Sequence, residues 1–366
     1  MRVALFCQSI VSDWNHGNAH FLRGIARELL ARGHEVRLFE PRDSWSLRNL
    51  IADHGEAPVA RFHAAFPQLR SCRYDARSLD LDEALNGVSL VLVHEWNTPE
   101  LVARIGAHRR RGGRYHLLFH DTHHRSVTDR AGMREYDLSG YDGVLAFGDI
   151  IRDFYEREGW ARRAWTWHEA ADVRVFYPVC ETLPPGQPCD LIWIGNWGDE
   201  ERSRELECFL INPVRSLGLT AKVYGVRYPA PAQEALARAG IFCGGWIPNY
   251  QAPAAFAGAR ITLHIPRRPY LESLPGIPTI RVFEALACGI PLVSARWRDA
   301  GGLFVPGRDF LVARDASEIS RCLRKLLADS GLRAELARHG RETILARHTC
   351  AHRVNELLEI YECLNH

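Results

Sequence analysis

The sequence predicts an α/β protein made of two doubly wound, Rossmann-like domains. Short apolar runs alternate with segments of helical periodicity along most of the chain, and a proline-rich stretch interrupts this alternation once, near the middle. A length of 366 residues fits two domains of ordinary size. We therefore expect two parallel sheets, each covered by helices on both faces.

The first domain opens on a complete βαβ unit. Val3 to Cys7 form a buried-strand run, the apolar positions from Phe21 to Leu30 recur at helical spacing until Gly33, and residues 36–39 form the next strand. The crossover between two such strands is expected to be right-handed. We place the first domain at residues 1–172, with further strands at 88–93, 115–119 and 143–147.

The second domain follows the proline-rich break. Periodicity is lost between Leu183 and Pro188, which predicts an interdomain linker over residues 173–188. A second α/β series covers residues 189–345 and includes a helix from about Pro278 to Cys288, with glycine just past its end. Its strands are expected at 191–194, 221–224, 241–242, 261–265 and 291–294.

Composition excludes several classes of protein. A net charge of +2 is too small for nucleic acid or an anionic membrane to be the main partner. The sequence has no run of eighteen apolar residues, and its first apolar stretch is too short for a signal peptide, so we expect no transmembrane segment and a cytoplasmic protein. The ten cysteines include no C-x-x-C pair and indicate reduced core thiols.

Ligands of doubly wound sheets bind outside the carboxyl ends of the strands, so we expect the two domains to face a ligand-binding cleft. The loop at 267–281 has the features of an anion site. Arg267 and Arg268 leave a strand, and residues 274–279 lead into a helix N-terminus, whose free amides and dipole attract negative charge. A diphosphate fits this arrangement. Glu284 either binds both hydroxyls of a ribose or pairs with Arg281 on a solvated face, and spacing does not separate the two.

One segment of the chain resembles a known family. Residues 281–294, Arg-Val-Phe-Glu-Ala-Leu-Ala-Cys-Gly-Ile-Pro-Leu-Val-Ser, and 303–307, Leu-Phe-Val-Pro-Gly, resemble the C-terminal domain of glycosyltransferases of the two-Rossmann GT-B architecture. The closest likeness is to the CgeB-like, group-1-type branch. The opening of the chain is also similar to these enzymes, with Gly17 in the first loop and Leu-Leu-Ala-Arg-Gly-His-Glu-Val at 29–36. The resemblance covers nearly the whole chain.

The resemblance implies a binding site for a nucleoside-diphosphate sugar in the second domain. Glu284 would hold the donor ribose, and the helix start at Pro278, Thr279, Ile280 and Arg281 would bind the diphosphate. Related retaining enzymes carry a second glutamate eight positions earlier, where this chain has glycine, so recognition of the donor sugar departs from their pattern.

Two further loops of the second domain match the family. In relatives the loop at Gly195 carries an arginine and a lysine that neutralise the diphosphate. Here Asn196 replaces the arginine, and Arg202 is the candidate for the lysine's role, behind Arg267 and Arg268. Trp246 offers a stacking face to the nucleobase and Ile247 its main-chain groups, whereas plain core packing is the alternative for Trp246.

The first domain carries polar residues after two of its strands. Leu118-Phe-His-Asp-Thr-His-His124 contains a candidate metal site, but neighbours on an extended loop point in different directions. The resemblance implies instead that His120 and Asp121 act beside the reacting sugar, with His123 and His124 on a solvated loop tip. Main-chain amides at Gly17 and Asn18 would reach the diphosphate or the acceptor, unless Asn18 is only an N-cap.

These features predict a glycosyltransferase that moves a sugar from a nucleoside diphosphate to an acceptor hydroxyl or similar nucleophile. Asp80-Leu-Asp82 reads as a helix cap rather than a metal motif, so we expect a metal-independent enzyme with no cofactor besides its nucleotide-sugar co-substrate. The resemblance favours retention of configuration and a last helix, 346–366, that crosses back to the first domain. The alternatives are a non-hydrolysing sugar-nucleotide epimerase, a non-catalytic carbohydrate-binding or spore-envelope protein, and a metallohydrolase built on residues 120–124.

Overall fold

The computed structural model describes residues 1–181, 188–198 and 200–366. These residues form two compact units, of which the first comprises Met1–Glu169 with Cys350–His366 and the second comprises Ala170–Thr349. Each unit holds one parallel sheet with helices packed on it, so the predicted α/β fold class is confirmed. In the described ranges, no helix combines the length and the apolar character needed to cross a membrane.

The sheet of the first unit consists of β1 (Arg2–Phe6), β2 (Glu35–Pro41), β3 (Ser71–Tyr74), β4 (Leu90–His94), β5 (His116–Asp121), β6 (Gly143–Ala146) and β7 (Ala164–Thr166). Its order is β3-β2-β1-β4-β5-β6-β7, and every pairing is parallel. The strand order reverses between β1 and β4, where doubly wound sheets bind ligands. The two outermost strands were not predicted, because they are short and partly exposed and so carry no continuous apolar run.

The helices of the first unit begin with α1, which places its apolar face on the sheet through Phe21, Ile25 and Leu29. Arginines end the helix that precedes Gly112. The helices up to residue 169 are α1 (Ala19–Ala31), α2 (Trp45–His54), α3 (Ala57–Ala65), α4 (Leu81–Ala84), α5 (Pro99–Arg110), α6 (Arg125–Thr128), α7 (Arg130–Arg134) and α8 (Asp149–Arg157).

The sheet of the second unit consists of β8 (Cys189–Ile194), β9 (Ala221–Tyr224), β10 (Phe242–Cys243), β11 (Ala259–His264), β12 (Leu292–Ala295) and β13 (Leu311–Ala313). Its order is β10-β9-β8-β11-β12-β13, again with parallel pairings only. Successive residues of β8 alternate between two apolar clusters: Leu191 and Trp193 belong to one, and Ile192 and Ile194 belong to the other. The sheet is therefore covered on both faces.

The helices of the second unit include a short π-helical turn at Glu207–Ile211 and a 3₁₀ turn at Asn249–Gln251. The helix expected from Pro278 begins two residues later, because Thr279 occupies the N-cap position in an extended conformation. The α-helices are α9 (Ser203–Leu206), α10 (Asn212–Leu217), α11 (Ala230–Arg238), α12 (Ala252–Ala257), α13 (Arg268–Glu272), α14 (Ile280–Ala287), α15 (Ala316–Ala328) and α16 (Ser330–Arg347).

The chain joins the two units at residues 169–170 and 349–350. The last helix, α17 (Cys350–Asn365), belongs to the first unit, where the indole Nε1 of Trp167 donates to the carbonyl of Arg353 at 2.8 Å. The start of the segment expected as a linker packs into the second unit. Phe176, in this part of the segment, is 1% exposed in the core of that unit. Residues 182–187 of that segment lie outside the described residues.

Candidate functional site

The loop after β8 lies against the loop after β9. The carbonyl of Gly195 accepts a hydrogen bond from the hydroxyl of Tyr228 at 2.7 Å, and the amide oxygen of Asn196 accepts one from the backbone of Val226 at 3.0 Å. A Cβ on Gly225 would lie 2.0 Å from the Gly195 carbonyl, so this close approach requires glycine. Asn196 therefore helps to join two loops, which gives it a structural contact where relatives have an arginine.

Two guanidinium groups flank Gly198 in the same loop. Gly198 has φ 82°, and a Cβ there would lie 2.7 Å from Nε of Arg202 and 3.3 Å from Nε of Arg267. Arg202 donates from Nη1 to the carbonyl of Ile265 at 2.8 Å, while its Nε is buried with no hydrogen-bond partner among the described residues. Burial and the neighbouring charge of Arg267 lower the pKa of Arg202 to about 9. The two guanidinium groups make the surroundings of Gly198 electropositive. Burial and mutual repulsion disfavour the charged form of Arg202, and a bound anion would stabilise that charge.

The other two arginine contacts of this region are ion pairs. Arg267 donates from Nη1 to Glu201 at 3.2 Å, and Nε of Arg268 lies 3.3 Å from a carboxylate oxygen of Glu205. Arg268 also donates to the backbone carbonyl of Glu200. Much of the charge of Arg267 and Arg268 is therefore matched within the protein, whereas Arg202 hydrogen-bonds a neutral carbonyl.

Glu284 and Arg281 form an ion pair at the start of α14. Nη1 of Arg281 donates to Oε2 of Glu284, as the i,i+3 spacing allows. The face is not solvated, which corrects the alternative set out from the sequence: the side chain of Glu284 is 0% exposed and that of Arg281 is 27% exposed. Burial and the Glu284 carboxylate raise the pKa of Cys288, one turn further along. A buried carboxylate at a helix start fits ligand binding better than surface pairing.

At the position eight residues before Glu284, where related retaining enzymes carry another glutamate, this chain has no room for a side chain. Gly276 has φ 94°, in the region that glycine tolerates best, and a Cβ there would lie 2.9 Å from the Cβ of Ala300. Glu272 is exposed near the end of α13. The backbone of this chain therefore departs from the paired-glutamate pattern, as the sequence indicated.

The expected nucleobase segment lies between β10 and α12. Trp246 is half-buried, so its indole is not a plain core residue. Ile247 packs against the apolar cluster that contains Phe283. The backbone of this segment is fixed by the amide of Gly225, which donates to the carbonyl of Gly245 at 2.8 Å.

In the first unit, two buried charged groups hold the loop after β1. The carboxylate of Glu40, at the end of β2, accepts from the backbone of Val11 at 2.9 Å, from that of Ile10, and from Oγ of Ser9 at 3.2 Å. Arg23 of α1 pairs with Asp13 at 3.0 Å and donates to the carbonyls of Ile10 and Val11 at 2.6 and 2.8 Å. Glu40 and Arg23 therefore fix the conformation of this loop. The loop contains Gly17 and Asn18 and lies at the switch point of the sheet.

Three imidazole rings meet beside that loop. His94 and His120 are register partners on β4 and β5, with ring centroids 5.2 Å apart, and His16 lies 5.8 Å from His94. The Nε2 atoms of His16 and His120 are buried and make no hydrogen bond within the described ranges. Burial, with Arg23 contributing at His16, lowers the pKa of both His16 and His120 to about 3. These rings are neutral at physiological pH and act as hydrogen-bonding groups rather than proton carriers.

Asp121 is anchored away from solvent. It is 0% exposed, its Oδ2 accepts from the hydroxyl of Tyr155 at 2.9 Å, and its Oδ1 accepts from the backbone of His123 at 3.1 Å. Burial and the nearby Glu95 carboxylate raise the pKa of Asp121. Through its hydrogen bonds to Tyr155 and His123, Asp121 holds the end of β5 in place.

A second network at this edge was not anticipated from the sequence. Glu95 is buried, pairs with Arg125 at 3.0 Å and accepts from the backbone and hydroxyl of Thr122 at 2.8 and 3.0 Å. The Thr122 hydroxyl is also bonded by Nε2 of His94 at 3.0 Å and by the side-chain amide of Asn18. His94 and Glu95 directly follow the strand predicted at 88–93, so the rule that drew attention to other strand ends applies to them as well.

Some first-unit expectations are corrected and others are confirmed. His124 is 5% exposed and its Nδ1 lies 2.8 Å from Oγ1 of Thr128, so the expected solvated loop tip is wrong at this residue. Asn18 precedes α1, but its side chain makes no cap bond. Asp80 caps α4 by accepting from the backbone of Glu83, as predicted. In the part of the chain that the structure describes, no three His, Cys, Asp or Glu side chains converge to hold a metal ion.

Comparison with known proteins supports the glycosyltransferase class that the sequence predicts. A family model described as glycosyl transferase-like matches residues 202–359, which include the loops around Arg202, Arg267 and Glu284. No curated protein matches the chain by sequence.

Solved structures match nearly the full length of the chain. Sucrose-phosphate synthase from Thermosynechococcus elongatus aligns at a TM-score of 0.68 and 16% identity, over 100% of this chain and 99% of that one. The Anabaena protein HepE, solved with UDP and glucose, aligns at 0.66 and 14% identity, over 99% and 100% of the two chains. An alpha-glucosyltransferase solved with UDP-glucose and DNA aligns at 0.69 and 14% identity, over 99% of each chain. The fold is that of GT-B glycosyltransferases, and the family model bears out the enzyme class predicted from the sequence.

Proposed function

We propose that this glycosyltransferase binds a nucleoside-diphosphate sugar in its second unit and transfers the sugar, without a metal ion, to an acceptor hydroxyl. The observation that carries the proposal is the electropositive spot at Gly198, where Arg202 and Arg267 lie side by side with less carboxylate than their charges require. The sequence placed Arg267 and Arg268 ahead of Arg202. The ion pairs of Arg267 and Arg268 lead us to reverse that order.

The reaction breaks the bond between the anomeric carbon and the diphosphate and forms a bond to the acceptor oxygen. Negative charge develops on the leaving diphosphate, and fixed cations and helix amides stabilise it most when they are already oriented. We assign this role to Arg202, Arg267 and the first turn of α14, from Thr279 to Arg281. Such groups do the work that a divalent ion does in metal-dependent transferases.

We assign the ribose to Glu284 and the nucleobase to the segment at Trp246 and Ile247. Glu284 is buried one turn into α14, where its carboxylate pairs with Arg281. A ribose has two hydroxyls that can donate to such a carboxylate. Because HepE and the alpha-glucosyltransferase were solved with UDP or UDP-glucose, we propose a uridine nucleotide as the donor.

We assign the acceptor to the first unit. The neutral imidazole of His120 and the main-chain groups at Gly17 and Asn18 would orient the incoming hydroxyl, while Asp121 positions the strand that carries His120. We also propose, on residues 281–294, that the chain belongs to the CgeB-like, group-1-type branch and that it retains the anomeric configuration.

Isothermal titration of the full chain with UDP tests the donor site, and assays with UDP-glucose test the reaction. We expect UDP binding in the presence of EDTA, and UDP release that requires an acceptor. Formation of an epimeric UDP-sugar without acceptor would identify an epimerase instead. Binding with no UDP release in any acceptor mixture would indicate a non-catalytic carbohydrate-binding protein. Hydrolysis that needs no acceptor and is lost in EDTA would indicate a metallohydrolase.

A further inference from the structure

His264, at the end of β11, connects the start of α14 to the neighbouring strand. The residue is 3% exposed. Its Nδ1 lies 2.9 Å from Oγ of Ser294, its register partner on β12, and its Nε2 lies 3.1 Å from Oγ1 of Thr279. The sequence drew attention to the arginines that follow His264 but gave the histidine itself no role.

The direction of these hydrogen bonds follows from one more contact. Oγ of Ser294 donates its single proton to the carbonyl of Ala295 at 2.8 Å, so it accepts the proton on Nδ1 of His264. A neutral imidazole that is protonated on Nδ1 has a lone pair on Nε2, and the hydroxyl of Thr279 therefore donates to it. Burial, with Arg202 contributing, lowers the pKa of His264 to about 3 and keeps the ring neutral.

The hydrogen bond to His264 occupies the hydroxyl of Thr279, which would otherwise be placed to cap α14. Thr279 is the N-cap residue of α14, with φ −78° and ψ 160°, and threonine at an N-cap usually accepts a hydrogen bond from an amide of the first turn. Its side chain makes no such bond. The amide of Val282 already donates to the carbonyl of Thr279 at 3.0 Å. The amides of Ile280 and Arg281 come too early in α14 to bond inside the helix, so they keep their capacity to bind an external acceptor.

We propose that His264 is a positioning residue for the donor: by holding the hydroxyl of Thr279 it keeps the start of α14 uncapped and open to the diphosphate. This inference rests on the proposed function. It assigns His264 no contact with the nucleotide. Loss of its Nε2 lone pair would free Thr279 to cap the helix, and the ligand would then compete with that cap.

Calorimetric titration of the full chain with UDP tests the inference through a double-mutant cycle. His264→Leu removes the acceptor while keeping an apolar side chain of moderate size, and we expect the Kd for UDP to rise about 5-fold, the effect of a typical N-cap. Thr279→Val cannot cap the helix, so adding His264→Leu to it should raise the Kd for UDP no further. The double variant should return to the affinity of Thr279→Val.

Two variants control for folding and for the loss of a buried hydroxyl. His264→Gln keeps an oxygen acceptor near the place of Nε2 and should bind like wild type. Thr262→Val removes another buried hydroxyl of β11, one that donates to the carbonyl of Ile192 at 3.0 Å, and should leave UDP affinity unchanged. If His264→Leu does not fold, as judged by circular dichroism, the same cycle is measured with His264→Phe, whose ring also lacks an acceptor at the place of Nε2.

Three results would overturn the role of His264. A Thr279→Val variant that weakens UDP binding as much as His264→Leu would make the hydroxyl itself a ligand, and a double variant as weak as His264→Leu would show that capping is not the cause. A wild-type chain that binds none of UDP, GDP, ADP and dTDP would refute the proposed function, and the role of His264 with it.

Discussion

Replacement of Arg202 by methionine tests the diphosphate assignment most directly. Methionine retains much of the length and apolar stem of arginine but carries no charge and no donor. Among the described residues Arg202 hydrogen-bonds only a neutral carbonyl, that of Ile265, and it shares its surroundings with Arg267. We therefore expect the variant to lose affinity for nucleotides while its unliganded stability changes little.

The expected size follows from the contacts involved. A hydrogen bond to a charged group contributes about 1.5 to 3 kcal/mol, which corresponds to about 10- to 150-fold in Kd. The unliganded chain loses one hydrogen bond from a charged donor, to Ile265, worth about 1.5 to 3 kcal/mol by the same measure, and it also loses a charge that burial disfavours. These two effects oppose each other, so the melting temperature should shift by no more than about 4 °C.

Titration calorimetry with UDP, together with thermal unfolding without ligand, measures both quantities. Arg204→Met is the matched control, because Arg204 is an exposed arginine on α9 in the same short segment. Arg267→Met should weaken UDP binding less than Arg202→Met does, and Arg268→Met should weaken it least. An Arg202→Met variant that binds UDP within twofold of wild type would refute the assignment.

Three further results are expected. Glu284→Ala should abolish the preference for UDP over 2′-deoxy-UDP, measured as a ratio of Kd values by calorimetry, whereas an unchanged ratio would remove the ribose from Glu284. EDTA should leave the rate of UDP-glucose turnover within about twofold, checked against a sample supplied with magnesium, and a loss restored by magnesium would contradict metal independence. The folded-state pKa values of His16, His120 and His264 lie near 3, below the unfolded value of about 6.5, so protons bind preferentially to the unfolded chain and stability should fall as pH decreases from about 7. Each histidine contributes at most about 1.4 kcal/mol per pH unit, and thermal unfolding from pH 7.5 to 5 should show a shallower slope for His120→Gln; identical slopes would contradict the burial of a neutral ring.

The fold could be predicted because its signal is local. Buried strands such as β1 and β4 are continuous apolar runs, and α1 and α14 show an apolar face at helical spacing. The edge strands β3 and β7 lack such a run, since one side of each has no neighbouring strand and their residues are partly exposed. Pairing with an inner strand, and not their own composition, makes them strands.

Residues of the candidate donor site could be named from the sequence, but their contacts could not. Arg202, Arg267 and Arg268 are equivalent cations in the sequence. Only the structure shows that Glu201 and Glu205 pair with the latter two. Likewise, the i,i+3 spacing of Arg281 and Glu284 predicts a contact but not the complete burial of the carboxylate.

The sequence by itself determined the α/β class, the positions of the inner strands and the loops after them, because apolar periodicity and proline or glycine positions act over a few residues. Tertiary structure decided which arginines form ion pairs and which imidazoles are neutral. It also decided that the hydroxyl of Thr279 bonds His264 and does not cap its helix. Those properties depend on groups that are distant in the chain, such as Glu40 with Val11 or His264 with Ser294, and on the burial that only packing produces. Electrostatic energies vary with distance and solvent exposure, and neither is written in the order of the residues.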